Sequence, residues 1–569
     1  RSAAFFALGR GRATGRPTAV VTTSGTAVAN LFPAVVEASQ AEVPLVLLTA
    51  DRPPHLRGAD ANQAMDQVRL FGAYVREFFD VELPRVEGRS LRHLRTQAAR
   101  AVAGALGAPP GPVHLNVPFE KPLEPTPVPG DVPGDFVDVH PRAAEGRATG
   151  DPYVGITLRR SAVNPADVDR VTVLLRSADR ALIVAGPSSE ANEVGSALRG
   201  LAAAARVPLL ADPLSGARYR RGPAAPLVSR YDLALRDPRV RKALRPDVLI
   251  RVGAAPTSGT LRTFLEECSD ARQVVVDDGH RYKDHLASAH EYIRSDPASF
   301  LNEVAETVSK RHGGSGGGTE SGGGGGSVRG ATSHGGELSV RDGWLDLWTR
   351  VESRVADVVA EEMEGELFEG AVVRGVMDAI PEGESLFVSN SMPVRDLDTF
   401  VSDAGGTVWV HGNRGASGID GVVSTALGLS HGLRRPVTAI LGDLAFCHDM
   451  NGLAAARRGR GDVTFVVVNN DGGGIFHLLP IREFDPPFTD LFATPHGLDF
   501  RHAAALYDVP YTRAATLDEL EIALAKGWRD GGSRIVEIRT DREVNRRRHE
   551  EVADAVRRAL IEVLDGSAI

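Results

Sequence analysis

Residues 436–479 read PVTAILGDLAFCHDMNGLAAARRGRGDVTFVVVNNDGGGIFHLL, and no other stretch constrains the fold as tightly. An apolar run, 436–441, stops abruptly at Gly442-Asp443. A helix-period segment through Met450, Leu453 and Ala454 follows. Then comes a stronger strand run, 463–468, ending at Asn469-Asn470, Asp471 and three glycines. Strand, helix, strand at this length is a right-handed crossover between two parallel strands. Asp443 and Asn470 therefore fall at the carboxyl ends of strands able to be neighbours, the edge at which open α/β sheets bind ligands.

A carboxylate and an amide oxygen are hard donors suited to Mg²⁺, which keeps positions for water and phosphate oxygens. Gly472-Gly473-Gly474 leads into 475–479, a segment able to start a helix. Glycines there let backbone N–H groups approach an anion at a helix amino end. Together these features describe a divalent metal held between protein and a diphosphate. The plainer reading is a strand-to-helix turn with a capping Asp and a turn-forming Asn-Asn-Asp-Gly.

At these residues the chain resembles the thiamine-diphosphate enzymes, whose signature is GDG followed by NN; Leu444 stands here in place of the third glycine. GDL, with NNDGGGIF and the upstream NRGASGIDG, narrows the resemblance to the synthase branch that serves menaquinone biosynthesis. The resemblance implies a transferase that decarboxylates 2-oxoglutarate and adds the succinyl unit to isochorismate in a 1,4-addition. It implies thiamine diphosphate and Mg²⁺, or Mn²⁺, as cofactors, and a cytoplasmic bacterial homodimer or homotetramer. The implied fold is α/β, with three doubly wound parallel-sheet domains, the first incomplete. Two alternatives stay open: another thiamine-dependent 2-oxoacid enzyme, such as an acetolactate synthase or a decarboxylase, and a degenerate cofactor-binding subunit.

The same resemblance assigns residues. Asp443, the side-chain oxygen of Asn470 and the backbone carbonyl of Gly472 would bind the metal, with Gly442 and Gly473 beside the cofactor. Ser24 and Gly25, in TSGTA, match the turn of the pyrimidine-binding domain. Ile419 matches the bulky residue that wedges beneath the cofactor, and Ile475 and Phe476 match the apolar wall beside it. The implied substrates carry two carboxylates each, and arginine offers a planar fork matched to them. Arg52 in TADRPP, Arg395 in SNSMPVR and Arg414 in NRGASG are the candidates. Gln63, in GADANQA, matches the glutamine that helps orient the second substrate, and Ser391 would donate or accept in the same cleft. His448 and His477 match no catalytic position and are expected to be structural.

A chain of 569 residues is too long for one core and is expected to form about three domains. The boundaries read as a pyrimidine-binding domain at 1–125, a Pro-rich linker at 126–159, a central α/β domain at 160–310, a glycine-rich linker at 311–338, and a diphosphate- and metal-binding domain at 339–569. Within the linker, 312–336 cannot bury a core and is expected to be flexible. The central domain reads VAGP where a dinucleotide loop needs GxGxxG, so no nucleotide is expected there. Residues 1–8 are helical in period from the start, and in the family the glutamate that contacts the aminopyrimidine would sit just before Arg1. Net charge of −9 gives no electrostatic reason to expect nucleic acid or an anionic membrane surface. No apolar run approaches the roughly 20 residues of a membrane span. Cys268 and Cys447, far apart, point to a reducing compartment. The run 546–549, RRRH, has acidic neighbours and reads as a solvated helix face.

Overall fold

The computed structural model describes the chain except residues 125, 159, 223, 280, 311–339, 403–405 and 566–569. The glycine-rich stretch expected to be flexible, 312–336, lies outside the described residues. The rest forms three sheets, each built of parallel strands. The first has β1 (Thr18–Thr22), β2 (Leu45–Asp51), β3 (Phe78–Asp80) and β4 (Pro112–Pro118), in the order β1-β2-β4-β3. The second has β5 (Ala181–Ala185), β6 (Leu209–Ala211), β7 (Leu227–Val228), β8 (Val248–Val252), β9 (Arg272–Asp277) and β10 (Glu291–Arg294), in the order β10-β9-β8-β5-β6-β7. The third has β11 (Ser385–Val388), β12 (Trp409–His411), β13 (Val437–Gly442), β14 (Val463–Asn469), β15 (Tyr511–Ala514) and β16 (Arg534–Arg539), in the order β12-β11-β13-β14-β16-β15.

The inner strands of the third sheet read as unbroken apolar runs because helices cover both of their faces. All seven residues of β14 are buried, as are five of the six in β13. The chain leaves β11 for β12 on one side and then crosses to β13 on the other. That reversal opens a crevice at the strands' carboxyl ends, the place where such sheets take ligands.

By contacts the chain divides into two compact units. One comprises Arg1–Arg160, Leu367–Val394 and Val408–Arg546, and holds the first and third sheets. Within it, helix Ser2–Thr14 crosses helix Val422–Leu433 with backbone against backbone. A Cβ on Gly9 would lie 2.0 Å from the Thr425 carbonyl oxygen, and one on Gly428 would lie 1.9 Å from that of Phe6. The other unit comprises Ser161–Glu366, Arg395–Thr407 and Arg547–Ile569. Its sheet is flanked by helix Val340–Glu362, whose Trp344 donates to the Ala181 carbonyl oxygen at 3.0 Å. Segment Arg395–Thr407 is tied into this unit by a buried pair, Arg218 Nη1 to Asp398 Oδ1 at 2.6 Å, and by Tyr231 Oη donating to the same oxygen at 2.7 Å.

Two expectations are corrected here. The period of residues 27–38 predicts a single helix, and the structure instead forms two, Thr26–Ala29 and Phe32–Gln40, because Pro33 suits the first turn of a new helix and not the middle of a long one. The RRRH run is not a fully solvated face. Arg547 and Arg548 bind Glu366 and the Glu362 carbonyl. His549 is buried with Nε2 3.0 Å from Asp396 Oδ1 and its ring edge-on to Phe400.

Candidate active site

Gly442 of β13 pairs with Val468 of β14, so the two strands release their chains side by side into Asp443 and Asn470. Asp443 is 2% exposed and opens helix Asp443–Asp449. Its Oδ1 accepts from the Leu444 amide at 2.6 Å and its Oδ2 from the Gly472 amide at 2.9 Å. His496 Nε2 lies 3.2 Å from Oδ2. Burial raises the carboxyl above the usual carboxylate range, and these donors pull it back.

Asn470 is oriented from its other end: Nδ2 donates to Glu369 Oε1 at 2.6 Å. Its Oδ1 is buried and has no hydrogen-bond partner. A buried acceptor left unsatisfied is costly and calls for an explanation. A hard cation held between Asn470 Oδ1 and the Asp443 carboxylate supplies one, so these residues fit the metal the fold implies. Among the described residues no three His, Cys, Asp or Glu side chains gather as a metal site, but a set of one carboxylate, one amide and one carbonyl is outside that pattern.

Gly472 has φ of +137°, and a Cβ there would lie 2.1 Å from the Ala493 carbonyl oxygen, so only glycine fits. The three glycine amides expected to approach an anion each have a partner within the chain. Gly472 donates to Asp443, Gly473 to Ala493 at 2.7 Å, and Gly474 to Gly472 at 3.0 Å. The loop folds back on the turn at Thr489–Ala493, where the Ala493 carbonyl takes the Gly473 amide, and the following helix is a five-residue 3₁₀ turn, Gly474–Leu478. Ile475 and Phe476 are half-buried, with Phe476 edge-on to Phe492 at 5.4 Å.

The ends of β11 and β12 meet through Asn390. Its Nδ2 donates to the carbonyl oxygens of Asn413 at 2.6 Å and Gly418 at 2.7 Å, while its Oδ1 accepts from Arg414 Nη1 at 2.8 Å. Arg414 is thereby held at a fixed place on the 412–421 loop. Glu37, buried on helix Phe32–Gln40, accepts the amides of Gly415 and Ala416 at 2.9 and 2.7 Å. Ser391 sits at φ of +70°, and Ile419 is half-buried against the core of the last sheet.

A second constellation forms at the carboxyl edge of the first sheet. Ser24 Oγ donates to the Gln63 carbonyl at 2.9 Å, and Gln63 Nε2 donates to Thr23 Oγ1 at 3.0 Å and to the Ser24 carbonyl at 3.2 Å. The Gly25 amide donates to Gln67 Oε1 at 2.8 Å, and the fully buried Gln67 reaches on to Asn116 Oδ1 at 2.9 Å. Arg52 donates through Nε and Nη2 to the Asn62 carbonyl at 3.1 and 2.7 Å. Ser24, Gly25, Arg52 and Gln63 are thus brought together. Arg395 belongs to the other compact unit.

Sequence reasoning missed Glu369, His496, Glu37 and Gln67, and it named Asn390 only as part of a motif. His448, expected to be structural, lies with Nε2 3.0 Å from Asp420 Oδ1; His477 is buried edge-on to Phe488.

Two family profiles match: the N-terminal thiamine pyrophosphate-binding domain of thiamine pyrophosphate enzymes over residues 1–70, and the C-terminal one over 399–538. A 2-succinyl-5-enolpyruvyl-6-hydroxy-3-cyclohexene-1-carboxylate synthase of Halobacterium salinarum is 45% identical over 560 residues, 98% of this chain and 90% of the relative. The chain belongs to this synthase family. Synthases of the same name from Halorubrum lacusprofundi, 44% identical over 98% of this chain and 90% of theirs, and from a Roseiflexus species, 41% over 95% and 87%, are also similar. Among solved structures, a benzoylformate decarboxylase from Polynucleobacter necessarius shares the fold with a TM-score of 0.65 at 17% identity, over 95% of this chain and 90% of its own. A putative thiamin diphosphate-dependent enzyme from Mycobacterium smegmatis aligns at 0.64 and 17% over the same shares. The α/β architecture of the synthase family and its dependence on thiamine diphosphate are thereby those of this chain.

Proposed function

We propose that this chain converts 2-oxoglutarate and isochorismate into 2-succinyl-5-enolpyruvyl-6-hydroxy-3-cyclohexene-1-carboxylate and CO₂ in menaquinone biosynthesis. The observation that carries the reading is the pairing of Asp443 with the partnerless Asn470 oxygen at adjacent strand ends, in a chain that matches synthases of that name over nearly its whole length. Asp443, Asn470 Oδ1 and the Gly472 carbonyl would hold Mg²⁺, with Mn²⁺ as a substitute, and Gly442 and Gly473 let the backbone pass close to the cofactor. Bound thiamine diphosphate supplies the carbanion chemistry.

The chain's own residues bind, orient and exclude water. Arg414, fixed by Asn390, would offer a planar positive group to a substrate carboxylate, and Arg52 is assigned to another. Gln63, which hydrogen-bonds Thr23 and the Ser24 carbonyl, and Ser391 would supply hydrogen bonds that set the second substrate's orientation. Ile419, Ile475 and Phe476 would present apolar surface to the cofactor, a setting that disfavours a charged carboxylate over neutral CO₂. The active form is a cytoplasmic homodimer or homotetramer; among the described residues no helix is long and apolar enough to cross a membrane. Isochorismate absorbance in the presence of thiamine diphosphate, Mg²⁺ and 2-oxoglutarate tests the assignment: it should fall with turnover, and a protein that leaves isochorismate unconsumed overturns it.

A further inference from the structure

We infer that Glu369 is a positioning residue for the metal site, holding the Asn470 carboxamide in the one orientation that leaves its oxygen for the cation. The inference rests on the metal-binding reading above. A carboxamide has nearly the same shape either way round, so the size of its niche does not decide whether oxygen or nitrogen faces a ligand. The partner at the other end decides it. An ionised carboxylate only accepts hydrogen bonds, so a glutamate at that end demands the NH₂ group.

Three parts of the chain meet here. Glu369 is 3% exposed at the start of helix Glu369–Ala379, and its own amide is tied to Asn545 Oδ1 at 3.2 Å. Its Oε1 receives Asn470 Nδ2 at 2.6 Å, short for an N–H···O bond and consistent with a charge-assisted one. Opposite, Gly474 makes room for the nitrogen, since a Cβ there would lie 2.4 Å from Nδ2. The atom left without a partner is the amide oxygen. An anionic acceptor behind the amide also makes that oxygen a stronger donor to a cation, the usual effect of an outer-shell carboxylate. A cation beyond the amide would in turn offset the cost of burying the carboxylate.

The test is Mn²⁺ binding to the whole chain in the presence of thiamine diphosphate, followed by the paramagnetic resonance signal of the free ion, with thermal unfolding as a check on folding. Glu369→Ala should weaken Mn²⁺ binding about 10- to 100-fold, the usual cost of losing an outer-shell partner. Glu369→Gln keeps an acceptor oxygen and should stay within a few-fold of wild type. Asn470→Asp sets a second carboxylate against Glu369 and should bind Mn²⁺ poorly. Adding Glu369→Gln to that variant restores a donor between the two side chains and should recover at least part of the loss. A folded Glu369→Ala variant with wild-type affinity overturns the inference. Where Glu369→Ala does not fold, Asn470→Asp decides: equal affinity with and without Glu369→Gln overturns it. A wild-type protein that binds no Mn²⁺ alongside the cofactor overturns the metal reading as well, whereas wild-type binding with an indifferent Glu369→Ala overturns this inference alone.

Discussion

Asp443 and Asn470 differ in how completely their oxygens are satisfied. Both carboxylate oxygens of Asp443 already accept N–H groups, whereas Asn470 Oδ1 accepts nothing. Removing Asp443 therefore takes away the charge of the site without unpicking the β13–β14 pairing behind it. Asp443→Ala is expected to stay folded and lose thiamine diphosphate in a binding titration; saturable binding at wild-type affinity would refute the metal role. Gly474→Ala tests the same site by crowding: the new methyl group meets Asn470 Nδ2 and should weaken Mn²⁺ binding by about tenfold or more, read by the free-ion signal. Asp443 and Asn470 were legible because they sit at strand ends within one crossover. Glu369, 101 positions before Asn470, and His496, 53 after Asp443, obey no spacing rule, since loop closure and not periodicity brings them in.

The 412–421 loop is held at its base by Asn390 and along its length by Glu37, which accepts two consecutive amides. Each hydrogen bond to a charged group contributes about 1.5–3 kcal/mol, and losing the acceptor leaves both N–H groups in a half-buried place. Glu37→Ala should lower stability by about 2–4 kcal/mol in urea unfolding and raise the KM for the substrate whose carboxylate meets Arg414 more than it lowers kcat. An unchanged KM would separate Arg414 from the substrate. Elements of this kind were unevenly legible. The sequence reads as strand at Thr18–Thr22, Ala181–Ala185, Val248–Val252 and Ser385–Val388, and these runs coincide with β1, β5, β8 and β11, because buried parallel strands are continuous apolar blocks. The strands that went unread, β3, β7, β10 and β15, are each outermost in their sheets. They run two to four residues, and an outer strand with one flank open carries too few apolar positions to stand out.

For the molecule as a whole, buried histidines destabilise the fold as pH falls, and His114 is one of them. His114 is fully buried in β4 between the rings of Phe71 and Phe78, with Nε2 2.8 Å from Thr49 Oγ1. Burial lowers its pKa from 6.5 to about 4. The unfolded chain takes up this proton first as pH falls, so the stabilising difference is complete above pH 6.5 and lost on descending to about 4. At about 1.4 kcal/mol per pH unit, the loss is on the order of 3 kcal/mol. Urea unfolding at stepped pH should show this decline, and His114→Gln should make it shallower; an identical slope in the variant would refute the assignment.

The glycine-lined crossing of helix Ser2–Thr14 with helix Val422–Leu433 also sets a schedule for synthesis. Phe5, whose ring lies over Gly421, leaves the ribosome well before its seat, which is made about 400 residues later. At about 5–20 residues per second, the apolar face of the first helix waits roughly 20–80 s for its cover. During that interval the nascent chain presents Phe5, Leu8 and Gly9 to whatever holds unfolded chains. The first and third sheets therefore mature together once helix Val422–Leu433 has been made, even though the first precedes it in the chain.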